Sequence, residues 1–143
     1  MIAEIANDLV LKIKNISTNP FGSPVKRVGL AAGAKGMDPM MEKVDRPAAW
    51  VIFVGDENLE EGMEGSCGAN IKLNFVVKLI VDYQTEADLI TNQYPLFEEV
   101  INAVHGQGGP IGTKRWKYEG QTLDELTGSR MVFDQRYSIV TVL

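Results

Sequence analysis

The stretch Ile71–Tyr83 constrains the fold more than any other part of this chain. Apolar or aromatic residues hold every odd position, Ile71, Leu73, Phe75, Val77, Leu79, Val81 and Tyr83. Side chains alternate faces along a β-strand, so this spacing draws one unbroken apolar stripe. The even positions are mixed: Lys72, Asn74, Lys78 and Asp82 alternate with Val76 and Ile80. A typical strand is about 5–6 residues long, so this one spans or overhangs a small sheet.

The helices are legible in the same way. Ile2, Ile5, Leu9, Ile13 and Ile16 fall on one helical stripe, with Glu4, Asn7, Lys12 and Lys14 largely off it. This predicts an amphipathic helix over 2–17, stopped by Asn19-Pro20. Thr85 stands where an N-cap belongs, with Asp88 as a shortened capping-box partner, so a second helical region starts near Glu86. Pro95 predicts a kink there or a division into two pieces, the second starting at about Pro95. Phe97, Val100, Ile101 and Val104 keep the helical spacing, and Gly106 supplies the stop.

The other strands are shorter. Val25–Ala31 and the apolar run Ala48–Val54 are expected strands, the second buried and central. A glycine- and methionine-rich loop over 32–47 separates them. Residues 56–68 form an expected acidic loop. Two closing strands are expected at 115–119 and 130–142, with 120–129 too long for a tight hairpin turn. The order helix, strands, helix, strands favours a single α+β domain over 1–143. Its helices pack on a twisted, mostly antiparallel or mixed sheet.

Composition narrows the function. Fourteen Lys and Arg against nineteen Asp and Glu give a net charge of −5, which disfavours a sequence-specific nucleic-acid grip. The nearest basic cluster, Lys114-Arg115-Trp116-Lys117, fits a strand edge carrying anti-aggregation charge. There is no run of 18 apolar residues, so no membrane span or membrane partner is expected. The acid-bearing start argues against a secretory signal. Cys67, the sole cysteine, leaves no disulfide framework and suggests a reducing compartment.

No catalytic set stands out, and the expectation is a non-enzyme with no cofactor and no metal. His105, the one histidine, falls at a predicted helix C-terminus, where imidazole meets the dipole favourably. One Cys and one His do not make a zinc site. Gly106–Gly112 closes a helix rather than opening one, so its glycines suit a cap and a tight turn rather than a phosphate. Asp56, Glu57, Glu60, Glu61 and Glu64 lack calcium-loop spacing, since Gly62 stands seventh and Cys67 twelfth. They form either a solvated loop or an acidic rim past which a polyanion slides. Met37, Met40 and Met41 either fill space under their loop or dock on a partner. Trp116, on a charged strand that is a candidate edge, is the better aromatic candidate for an interface. Ile71, Leu73 and Phe75 are further candidates, on an overlong strand suited to contact between subunits.

With this order of elements, the chain resembles tail-terminator or tail-completion proteins of contractile-tailed bacteriophages, of the Mu-like prophage type. The likeness runs through most of the chain. It rests on Met1–Val10, on Arg46-Pro47-Ala48-Ala49-Trp50-Val51-Ile52-Phe53-Val54, on strand 71–83 with the helix after it, and on Arg130–Leu143 with Tyr137-Ser-Ile-Val-Thr-Val. The loop 32–45 has no counterpart in that pattern. The resemblance implies a homo-oligomeric, usually hexameric ring that caps the tail tube and joins it to the head. Its implied partners are tube or sheath and head-completion proteins, with DNA passing through a lumen that the acidic loop of Asp56, Glu57, Glu60, Glu61 and Glu64 would face. Its implied location is the bacterial host cytoplasm during assembly and then the virion tail. The rival readings are a neck or head-completion connector and, from another class, a small-ligand-binding α+β domain.

Overall fold

The computed structural model describes residues 1–18, 27–30, 47–59 and 70–142. Helix α1 (Ile2–Lys14) runs into a short 3-10 turn at Asn15–Thr18 and precedes the edge strand β1 (Arg27–Leu30). Strands β2 (Ala48–Asn58) and β3 (Asn70–Asp82) follow. A single helical turn α2 (Glu86–Asp88), a wide π-type turn (Leu89–Gln93) and helix α3 (Tyr94–Val104) lead to β4 (Lys117–Thr127) and β5 (Arg130–Val142).

The five strands form one mixed sheet in the order β1-β2-β3-β5-β4. β1 runs parallel to β2, and every other neighbouring pair is antiparallel. The fold is therefore α+β. β3 occupies the centre because β5 inserts between it and β4, pairing without a break from Asn70↔Val142 to Asp82↔Arg130.

Alternation decides what each face meets. The odd residues of β3, from Leu73 to Val81, join Ala49 and Val51 of β2 and Met131, Tyr137 and Ile139 of β5 in the main core. Ile5, Leu9 and Ile13 of α1 and Leu96, Phe97, Val100 and Val104 of α3 cover them. Removing such side chains from water contributes about 1.5–3 kcal/mol each. Ile2 departs from the expected stripe and stays 40 % exposed. On the opposite face the buried apolar residues form a small island, Ala48, Trp50, Ile80 and Val132 with Ile52 beside it.

The second helical region starts at its expected cap and runs on to Val104, with a π-type turn just before Pro95 in place of a gap. Thr85 Oγ1 accepts the Asp88 N–H at 3.0 Å. The Asp88 carboxylate reaches back to the Gln84 N–H at 3.2 Å, one residue before the cap. Pro95 then stands in the first turn of α3, directly after the π-type turn, where the regular helical hydrogen-bond ladder is already interrupted.

Two expectations need correction. Residues 120–129 do not form a long connection, because β4 continues to Thr127 and a two-residue turn at Gly128-Ser129 joins it to β5. Gly128 has φ +58°, the positive value that a tight hairpin needs at its first central position. Register shifts after Tyr118 and Leu123 interrupt the alternation of β4, which hides its period. Likewise Asp56 and Glu57 belong to β2 rather than to a loop, and β2 is buried only over its first half. The methionine-rich loop (Pro47 apart), residues 60–68 of the acidic loop and Cys67 lie outside the described residues.

Candidate interaction surfaces

Trp116 is not an exposed edge residue. It is 1 % exposed and packs edge-on against Phe75, with ring centroids 5.5 Å apart. Its indole N–H donates to Asp8 Oδ2 at 2.9 Å, and Lys12 pairs with the same carboxylate at 3.0 Å. A charged sequence neighbourhood suggested an edge; the tertiary fold turns this side chain inward against α1. Leu73 and Phe75 are buried in the same core. Of that apolar group, Ile71 alone retains partial exposure.

Ile71, Leu73 and Asp56 nevertheless meet. Together with Met1, Ile2 and Thr141 they line an open, mainly apolar cavity of about 290 Å³ where α1 begins and β3 starts. Glu57 points away from it, opposite Lys72 in the β2–β3 register. Met37, Met40, Met41, Glu60, Glu61 and Glu64 lie outside the described residues.

A second apolar surface escaped the sequence reading. Tyr94 of α3 lies 6.0 Å from Phe97, and Phe97 lies 4.7 Å from Phe133. Phe133 pairs in turn with Leu123 of β4. Tyr94 and Leu123 are 45 % and 46 % exposed, so this row runs from the core to the sheet edge. Beneath it sits Gln135, fully buried on an otherwise apolar face. Its amide donates to Phe97 O at 3.1 Å and to Gln121 Oε1 at 3.2 Å, and its oxygen accepts the Tyr137 hydroxyl at 2.8 Å. Burial, and secondarily the neighbouring Tyr118, pushes the Tyr137 phenol far above its ordinary range.

Beside its apolar island, the face away from the helices carries ion pairs. Lys78 bridges Asp124 at 2.7 Å and Asp134 at 2.8 Å. Burial pulls its pKa down, but the two carboxylates outweigh that and leave it raised. Glu119 accepts the Ser138 hydroxyl at 2.7 Å and sits 3.4 Å from Lys72. The Ser138 bond, against some burial and helped by the lysines, holds its pKa down.

The glycine-rich segment behaves as a structural turn. The Gly106 N–H donates to Trp116 O at 2.8 Å, and the Trp116 N–H donates to Gln107 O at 2.9 Å. Gly106 takes φ +78° just beyond α3, as a helix-terminating glycine does. A side chain at Gly109 would collide with Ile139 and Thr113, so the turn lies tight on β5. His105 caps this corner, its Nδ1 accepting the Tyr118 N–H at 3.0 Å.

Among the described residues, no three His, Cys, Asp or Glu side chains gather as a metal-ligand set. No described helix is long and apolar enough to cross a membrane.

No protein-family model and no curated protein matches the sequence. Among solved structures, the chain is similar to one from the virion of a native gene transfer agent particle, with a TM-score of 0.60 and 10% identity. The alignment covers 99% of this chain and 97% of that one. At such identity the likeness establishes the fold.

Proposed function

We propose that this chain is a non-enzymatic structural subunit of a phage-like virion. Within that role, it terminates or completes the tail as a closed ring and joins it to the head. The observation that carries the reading is the end-to-end fold likeness to a chain of a virion particle, with almost nothing left over on either side. The resemblance of the sequence to tail-terminator proteins supports the finer assignment. So does a chain with two separate apolar surfaces, at the β3 start and at the β4 edge. A head-to-tail ring joins unlike patches on successive copies and closes by rotation. The subunit assembles in the host cytoplasm and ends in the virion tail, against tube or sheath and head-completion proteins.

Deleting the gene and imaging the resulting particles tests this. Filled heads beside unattached tails of irregular length are expected, with wild-type protein found at the tail–head junction of intact particles. Normal particles without the protein would refute a virion role. Leaking heads beside tails of normal length would move the subunit to the neck.

A further inference from the structure

The ionic face is unevenly charged. At the end where β3 starts and β5 finishes, Lys72 and Lys117 flank β5, opposite Val140 and Ser138 respectively. Lys114 joins them, its N–H donating to Val140 O at 2.8 Å. With Arg115, these side chains line one groove of about 240 Å³ floored by Ser138, Ile139 and Val140. Its described lining carries four cations against one acid, Glu119. Lys114, Arg115 and Lys117 are exposed. Such a concentration on a chain of net charge −5 calls for an anionic partner.

The chain carries a matching anion. Asp56, Glu57, Glu60, Glu61 and Glu64 form an acidic run without a single base. We infer that the groove of one copy receives Glu60, Glu61 and Glu64 of the next copy, as the polar contact of the ring proposed above, on which this inference rests. One groove and one complementary run per chain give a self-propagating contact between unlike surfaces. Duplex DNA fits less well. Asp124 and Asp134 stand on the same face around Lys78, where a phosphate backbone extending from the groove would meet them.

The test uses a fluorescent peptide of residues 55–65 and the full-length protein, read by anisotropy. Wild type should bind it saturably at low salt, and Lys114→Glu with Lys117→Glu should weaken binding about tenfold or more. Raising salt from about 50 mM to about 500 mM should weaken it similarly, by screening. Circular dichroism checks that each variant is folded. Absence of saturable binding at low salt overturns the inference. Binding seen only when the protein carries Glu60→Lys and Glu61→Lys means that each chain fills its own groove, which also overturns it. Tighter binding of a short DNA duplex than of the peptide does the same. Light scattering then separates this contact from the ring itself. The groove variant and the Glu60→Lys/Glu61→Lys variant should each stay monomeric alone and assemble when mixed. A wild type that binds peptide but stays monomeric at every concentration counts against the ring and leaves the groove standing. Rings that form without peptide binding do the reverse.

Discussion

The two faces of β3 are built from alternate residues of one strand, yet they do different work. Toward the helices, Leu73, Phe75, Val77, Leu79 and Val81 are each at most 3 % exposed. Away from them, Lys72 and Lys78 form ion pairs with Glu119, Asp124 and Asp134. Apolar burial is non-directional and scales with area, so the first face sets stability. Partly exposed ion pairs contribute little to folding, because water competes for both partners and salt screens them. They are free to set what the surface recognises. The lesson is that stability and partner choice are separable on this sheet.

Substitutions can break that division. The largest effect is expected on the helix side. Leu79→Ala should lower unfolding free energy by about 2–5 kcal/mol, through lost burial and the cavity left behind, as read by urea titration. Trp116→Phe keeps most of the packing against Phe75 but deletes the N–H to Asp8. A loss of about 1–2 kcal/mol is expected by the same titration, since a charge-assisted bond disappears. Thr85→Ala should cost about 1 kcal/mol by removing the N-cap before α2, and Thr85→Ser should restore most of it.

On the ionic side the effects shrink. Lys78 has a raised folded pKa, so its contribution is complete below the ordinary lysine value of 10.5 and fades as pH rises through the folded value. Melting temperatures measured across that window should fall in wild type and fall less in Lys78→Met. Lys114→Glu with Lys117→Glu should move folding stability by no more than about 0.5 kcal/mol. A fall comparable to that of Leu79→Ala would show that the two faces are not separable.

Much of the fold was legible in the sequence, for a local reason. The alternation of 71–83 became β3 over 70–82, and the isoleucine–leucine stripe became α1 with Ile5, Leu9 and Ile13 buried and Ile16 buried in the 3-10 turn after it. Thr85 and Pro95 marked the starts they were expected to mark. Residues 120–127 were misjudged because bulges break the period of β4. The Gly128-Ser129 pair was a usable hairpin signal. The candidate surfaces were less legible. Trp116 looked exposed because its neighbours are Arg115 and Lys117, and nothing nearby announces Asp8.

By itself, then, the sequence determined where strands and helices lie, which side of each is apolar, and the α+β class. Period and caps are properties of short windows, because a side chain's solvation depends on the face it occupies. Only the tertiary structure decided that β5 enters between β3 and β4, that Trp116 turns inward to α1, and that Lys72 joins Lys114 and Lys117 around one groove. Those outcomes depend on register between segments far apart in the chain, which is chosen by the simultaneous burial of whole faces and not by any one window of residues.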